Sequence, residues 1–395
     1  MKLYNSLSKK IEDFIPLKNN EVKMYVCGIT PYDTTHLGHA FTYIFFDVLL
    51  RYLTFKEYKV TYTQNVTDID DDILKRAKLK EKDWKELGEF WTNKFLNDLK
   101  SLNVLPPTYY VKATGSIALM IRIIRVLIEK DFAYEREGNV YFNENKFKDY
   151  GELSGLNKHQ MIIISKQRGG DPTDPLKENP LDFLLWKKSK EDEPFWESPW
   201  GKGRPGWHIE CSAMIRQYLG EQIDIHGGGR DLIFPHHESE IAQSESATEK
   251  KPFVKFWMHT AMVMYQGEKM AKSLGNLVMV SDLLKTYSAD TIRFVLLSHC
   301  YRLPWEFMES EMEPAEKIVS KINKALIFKD STENKEEKND YEIRFNKIMD
   351  DDMDTPQALQ LISSLADEII ENKINIESLQ KTLKKLLLIL GFSLE

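Results

Sequence analysis

The chain has 395 residues, a formal net charge of −7, 42% hydrophobic and 29% charged residues, which is the balance of an ordinary globular protein with room for two or three domains. The acidic balance excludes a protein that coats nucleic acid at large, while leaving room for a local basic patch on one folded RNA. No apolar run of about 18 residues offers a membrane helix, and three cysteines, Cys27, Cys211 and Cys300, cannot build a disulfide framework. Such cysteine usage fits a reducing cytosol, where the thiols serve as core filler, metal ligands or nucleophiles. The opening "MKLYNSLSKKIEDF" has no apolar h-region, so no signal peptide is expected.

In chain order, "EVKMYVCGI" reads as a buried strand closed by a glycine. "GHAFTYIFFDVLLRYLTF" has apolar residues recurring at three and four, which predicts a largely buried helix. "YKVTYTQNVTDID" is a second strand candidate that ends in polar residues. Strand, helix and strand in this spacing form the βαβ unit of a parallel, doubly wound α/β sheet, in which ligands bind beyond the carboxyl ends of the strands. Cys27 and the "TDIDD" run fall at such ends. From 105 to 190 the character changes: "GSIALMIRIIRVLIEKDFAY" predicts an amphipathic helix, "GNVYFN" a short strand and "KQRGGDPTDPLKENP" a Gly/Pro-rich loop. We read this stretch as a subdomain inserted between a first half, 1–104, and a second half, 191–303. The sheet is expected to resume with "EQIDIHGGGRDL" and "FVKFWMHTAMVMYQ". Residues 304–395 carry only helical signals and predict a helical bundle, interrupted by the polar linker "KDSTENKEEKND". In "DTPQALQLISSLADEII", Thr355 is the expected N-cap and Pro356 the first helical residue. No internal repeat is visible.

Four constellations carry chemistry. "HLGH", His36 to His39, sits at a strand-to-helix turn; Gly38 permits close backbone approach, the helix N-terminus attracts anions, and two imidazoles can donate to phosphate oxygens. The plain alternative is a pair of surface histidines at a turn. "GEKMAKSLGN" places Lys269 and Lys272 in a Gly-flanked loop that can neutralise charge on a transferring phosphate; a solvated lysine pair is the plain alternative. Cys27, Cys211, His236 and Glu240 form a possible tetrahedral zinc set, with His236 and Glu240 four apart on one helix face, although their spacing is unlike a zinc finger and buried structural cysteines explain the thiols equally. Gly227, Gly228 and Gly229 in "DIHGGGRDL" let a nucleotide base or ribose press on the backbone, or form a plain flexible loop.

Taken together, "CGIT…HLGH", "NVTDIDDDI", "GRPGWHIECSAM", "DIHGGGRDLIFPHHESEIAQSES" and "KMAKSLGN" resemble the class I cysteinyl-tRNA synthetases and their relatives, the mycothiol cysteine ligases, from about Lys2 to the final residues. The resemblance implies a Rossmann-like (HUP-type) catalytic domain with an inserted connective subdomain, then a helical domain. It implies activation of cysteine by ATP to cysteinyl-adenylate and transfer to an acceptor, in the cytoplasm, by a monomer. By position, His36, Gly38 and His39 match the HIGH-type motif that contacts ATP, and Lys269 to Ser273 match the KMSKS-type loop, with Lys272 on the ATP phosphates. Cys27, Cys211, His236 and Glu240 fall on the ligands of one zinc ion. Cys27, Gly28, Thr67, Trp207 and Asp231 fall in the motifs around the amino acid and adenylate, with Gly227, Gly228, Gly229 and Asp231 also towards the nucleotide. Mg²⁺ is expected with ATP by analogy. Zinc would then serve as a specificity device, because it takes a soft thiolate in preference to the protonated hydroxyl of serine.

The departures from the family pattern bear on the acceptor. Ala271 stands where KMSKS-type loops usually carry serine, yet both lysines remain. The chain stops at "LGFSLE", so the small anticodon-binding domain of the synthetases is expected to be missing. "ITPYDTTHLGHAFTY" and "QRGGDP" look like the mycothiol ligases, whereas Glu240 and His226 look like the synthetases. The reading taken forward is a short-form cysteine–tRNA ligase acting on L-cysteine, ATP and tRNA(Cys). The alternative is a ligase that transfers cysteine to glucosaminyl-inositol. A third reading, a non-catalytic paralogue that binds RNA or a nucleotide, is opposed by the retained histidine and lysine pairs. Lys381, Lys384 and Lys385 on the last helix are either phosphate contacts or a solvated face.

Overall fold

A computed structural model describes residues 1–31, 35–270, 274–329, 340–372 and 375–393. The chain opens with an antiparallel hairpin, β1 (Lys2–Asn5) and β2 (Lys10–Asp13), and enters the main sheet at β3 (Glu21–Ile29). Helix α1 (Leu37–Phe55) leads to β4 (Lys59–Val66), and α2 (Asp71–Leu79) and α3 (Trp84–Ser101) lead to β5 (Tyr109–Lys112). Helix α4 (Ile117–Glu129) precedes β6 (Ala133–Arg136) and β7 (Asn139–Phe142); then come α5 (Lys158–Gln167), β8 (Phe183–Lys188) and β9 (Gly203–Pro205). Helix α6 (Trp207–Tyr218), β10 (Ile223–Gly229), α7 (Glu238–Thr248) and β11 (Val254–Thr260) complete the main sheet. Its order is β11-β10-β3-β4-β5 and every pairing is parallel.

Parallel strands are covered on both faces and need apolar residues on both. Met24, Tyr25 and Val26 of β3 are accordingly buried in succession. Helix α1 buries Phe41, Ile44, Phe45, Val48, Leu49 and Tyr52 around most of its circumference, because it lies between the sheet and the C-terminal helices. The strand order runs one way from β3 to β5 and the other way through β10 to β11. The switch point, where such sheets bind ligands, therefore lies between β3 and β10.

The stretch 105–190 does not coincide with one sheet. β5 joins the main sheet through Thr63–Tyr109 and Gln64–Tyr110 pairing, while the antiparallel sheet β6-β7-β8-β9 extends to Pro205. A three-residue Gly-Arg-Pro segment carries no strand signal of its own and pairs because β8 is beside it. "FVKFWMHTAMVMYQ" likewise splits. After β11 the chain forms β12 (Val263–Tyr265), which pairs with β13 (Glu268–Lys269) and, in parallel, with β14 (Trp305–Glu306). The region after 304, read as purely helical, thus begins with a two-residue strand.

Helices α8 (Val280–Leu283) and α9 (Ala289–Leu297) precede the bundle α10 (Met312–Ile327), α11 (Tyr341–Met349), α12 (Thr355–Asn372) and α13 (Ile376–Ile389). The bundle shares one apolar core with α1, where Phe45, Tyr52 and Leu53 join Leu383, Leu386 and Leu387. The cap of α12 is one residue earlier than read from the sequence. Asp354 Oδ1 accepts from Gln357 N at 3.0 Å, and the Thr355 hydroxyl instead donates to the Leu297 carbonyl at 2.8 Å. Much of the polar linker 329–340 lies outside the described residues. On α13, Lys381 pairs with Glu377 and Lys385 with Glu342.

Candidate active site

A cleft of about 410 Å³ opens at the carboxyl ends of β3, β4 and β10. The β3–β4 pairing shifts register between Val26 and Ile29, and such irregularities re-aim side chains at sites. Cys27 and Gly28 sit at that shift and line the cleft. Gly28 N donates to Asn65 Oδ1 at 2.8 Å, and an added Cβ would overlap the Asn65 carbonyl oxygen, so this position admits only glycine. Thr67 follows β4, its amide donating to Ile29 O at 3.1 Å.

His36 is the N-cap of α1, its Nδ1 accepting from Gly38 N at 3.1 Å. His39 stacks on it with ring centres 3.8 Å apart. Burial pushes His36 down to about 4, against the pull of the nearby Asp231 carboxylate, and pushes His39 down further with help from His36. Both imidazoles are therefore neutral near pH 7, and His39 Nδ1 has no protein partner among the described residues. The turn is braced from the lysine-loop side: Leu37 N donates to Val278 O at 2.8 Å and Val280 N to Thr35 O at 3.1 Å.

This depression has a consequence for stability. The unfolded imidazole titrates near 6.5, so between about 6.5 and 4 the unfolded chain takes a proton that folded His36 refuses, and stability falls as pH falls through that window. His36→Asn keeps a capping acceptor for Gly38 N and is expected to show a shallower loss of denaturant stability over the same range. Identical slopes for the variant and the parent chain would contradict the assignment.

Cys27 Sγ lies 3.8 Å from Cys211 Sγ, 3.3 Å from His237 Nε2 and 4.0 Å from Glu240 Oε1. His236 Nε2 is 3.1 Å from Glu240 Oε1. Cys27, His236, His237 and Glu240 each offer one ligand atom, all within 4.8 Å of one another. Helix α7 carries Glu240, and the irregular turn before it, 233–237, turns both histidines inward. Behind this layer, His226 Nε2 holds the other Glu240 oxygen at 3.1 Å, and Trp207 stacks on the His236 ring at 4.2 Å. His208 Nδ1 meets His236 Nδ1 at 3.0 Å; His237 Nδ1 meets His259 Nε2 at 2.8 Å, and His259 Nδ1 meets Ser6 Oγ at 2.8 Å. Burial raises the Cys27 thiol and the Glu240 carboxyl and lowers His236 and His237. The sequence reading did not include His208, His237 or His259 among its site residues. Seven of the nine histidines in the chain, His36, His39, His208, His226, His236, His237 and His259, gather at or beside this cleft.

Of the remaining expected residues, Trp207, Gly229, Asp231 and Lys269 line the cleft. Lys269 is exposed on β13, and its carbonyl accepts from Asn276 Nδ2 at 3.2 Å. Lys272, with Ala271 and Ser273, lies outside the described residues. Gly227 and Gly228 are buried in β10 behind the cleft wall. Where Gly227 lacks a Cβ the Phe46 ring of α1 fills the space, and Gly228 abuts Leu232 and His237. Helix-on-sheet packing thus accounts for glycine at 227, and the turns that follow β10 press on Gly228.

A switch-point cleft, a histidine pair at a helix N-terminus and a lysine-bearing hairpin place the chain in a class of fold shared with solved synthetases. It matches a Mycobacterium tuberculosis methionyl-tRNA synthetase in complex with methionyl-adenylate at TM-score 0.65 and 14% identity, over 94% of this chain and 88% of that one. It also matches a LeuRS–tRNA–LeuAMS complex from Agrobacterium radiobacter at TM-score 0.66 and 11% identity, over 96% and 84%. The family model described as tRNA synthetases class I (C) catalytic domain matches residues 13–317, and the chain belongs to that class I family. Its sequence identity to proteins named cysteine–tRNA ligase is 48% over 402 residues with one from Dehalococcoides mccartyi, covering 100% of this chain and 87% of the relative. With one from Legionella pneumophila it is 47% over 399 residues, covering 99% and 84%. Within class I, the chain therefore belongs to the cysteine–tRNA ligase family.

Proposed function

We propose that this chain, a cytoplasmic monomer, activates L-cysteine with ATP to cysteinyl-adenylate and transfers the cysteinyl group to tRNA(Cys). The observation that carries the amino-acid assignment is the donor set at the floor of the cleft. Two thiolates bound to one tetrahedral zinc at about 2.3 Å stand about 3.8 Å apart, which is the separation of the Cys27 and Cys211 sulfurs, 3.8 Å. The residues fit the ion: Cys27, His236 and Glu240 would hold it, together with Cys211, whose sulfur is 3.8 Å from that of Cys27, while His237 lies 3.3 Å from the same sulfur. When bound, zinc would supply a soft cation that takes a thiolate and not a hydroxyl.

The chain's own residues account for the rest. A shaped pocket separates near-isosteres such as cysteine and serine by only about 10²-fold, so the sulfur-seeking floor supplies the discrimination that shape cannot. His36 and His39, neutral and set at the N-cap and first turn of α1, are assigned to donate to ATP phosphates beside the helix N-terminus. Lys269 and Lys272 are assigned to the phosphate charge, with Mg²⁺ accompanying ATP. The cysteine carboxylate then attacks the α-phosphorus and pyrophosphate leaves; positioning and charge neutralisation carry this step. Asp231, Thr67 and Trp207 on the cleft walls are assigned to the amino acid. Cysteine-dependent exchange of pyrophosphate into ATP tests the reading: exchange with cysteine and not with serine supports it, and its absence would overturn it.

A further inference from the structure

The stretch "QRGGDP", Gln167 to Pro172, belongs to none of the roles assigned so far. Its Arg168 is the C-cap of α5, on the inserted region, and Gly169 and Gly170 turn the chain back over Ser165. The guanidinium reaches out of the insert. Arg168 Nη1 donates to the main-chain carbonyl of Asp231 and lies 3.8 Å from the Asp231 carboxylate, with the Arg168 side chain 28% exposed and that of Asp231 37%. The same helix grips the segment that follows Asp231, because Met161 packs with Phe234 and Leu181 in a small apolar cluster. Asp231 itself stands on a single helical turn, Arg230–Leu232, that has no side-chain cap. Its carboxylate lies over Gly229, where an added Cβ would press on it.

The carbonyls at the end of a short helical turn have no partner within it and need outside donors, and a charged fork meets that need with defined geometry. The surface ion pair adds little by itself because water screens it; the bond to the carbonyl is the part that fixes the turn. We propose that Arg168 is a positioning residue for the amino-acid pocket: it holds the Asp231 turn so that the Asp231 carboxylate faces the cleft, where it takes the ammonium group of the substrate. The inserted region thereby contributes to cysteine binding without touching the substrate. This inference rests on the ligase reading of the cleft.

The test is steady-state ATP–pyrophosphate exchange with the full chain carrying Arg168→Ala, Arg168→Lys, Asp231→Asn, and Arg168→Ala with Asp231→Asn. Loss of a charge-assisted positioning bond raises KM for cysteine about tenfold in R168A and changes kcat less than about twofold. R168K, which keeps a donor for the carbonyl, recovers most of the affinity, and R168A adds nothing to D231N. Bound metal and melting temperature stay at the parent values. An unchanged KM in R168A, or an R168A effect of equal size in the D231N background, would overturn the proposal while leaving the ligase reading intact. Should R168A fail to fold, Arg168→Gln and R168K give the same comparison. Absence of exchange in the parent chain would sink the ligase reading and this inference with it.

Discussion

Asp47→Ala is expected to lower the stability of the chain by about 3–5 kcal/mol, the range for breaking a buried ion pair from one side. Asp47 on α1 and Arg293 on α9 are both buried, and the Arg293 guanidinium pairs with the Asp47 carboxylate. The same arginine donates to Leu102 O at 2.8 Å and to Leu390 O at 2.6 Å. The same carboxylate accepts from Arg51 Nε at 3.0 Å and Leu105 N at 2.9 Å. This network joins the first helix of the α/β half to the end of the last helix of the bundle. Gly391 belongs to it, since an added Cβ there would strike the Arg293 guanidinium. Removing the carboxylate leaves a buried cation without its counter-charge, which costs far more than the net worth of the pair. Asp47→Leu with Arg293→Met is accordingly expected to lose less than Asp47→Ala alone. Urea unfolding measures both; a loss below about 1 kcal/mol for Asp47→Ala, the level of an exposed pair, would contradict this account of the interface.

Cys27→Ser is expected to reduce bound zinc and to loosen selection of cysteine over serine. The Cys27 sulfur is the hub of the cluster, in reach of Cys211, His237 and Glu240. Replacing a soft thiolate by a hydroxyl that stays protonated at neutral pH removes a ligand and part of the preference for sulfur. Metal analysis of the purified variant gives the first readout. The ratio of cysteine-dependent to serine-dependent pyrophosphate exchange gives the second. A shaped pocket alone leaves about 10²-fold discrimination, so selection is expected to fall towards that floor. Unchanged zinc content in Cys27→Ser would rule out the ligand assignment.

The elements that were legible in the sequence are those whose burial is written locally. β3 and α1 are largely apolar because the structure covers them on both sides, and the βαβ unit follows from their order. The pairing of His236 with Glu240 follows from helical spacing alone. What was hidden depends on contacts between distant segments. His237 and His259 meet across 22 residues, and Ser6 reaches His259 from the N-terminal hairpin. Gly227 and Gly228 look like a ligand loop in sequence, yet the Phe46 ring on α1 and the His237 side chain occupy the space beside them. Arg204 on β9 is bound to Asp71 on α2, so part of the "TDIDD" run serves to fasten the antiparallel sheet to the main domain. No spacing rule could have assigned that aspartate to the insert.

Transfer of cysteine to tRNA is the central claim. The direct measurement is transfer of labelled cysteine, in the presence of ATP, to tRNA(Cys) and, in parallel, to glucosaminyl-inositol. The account expects acid-precipitable cysteinyl-tRNA that depends on ATP and the parent chain, with no product on the amino-sugar inositol. Ligation to glucosaminyl-inositol with no charging of tRNA would contradict it.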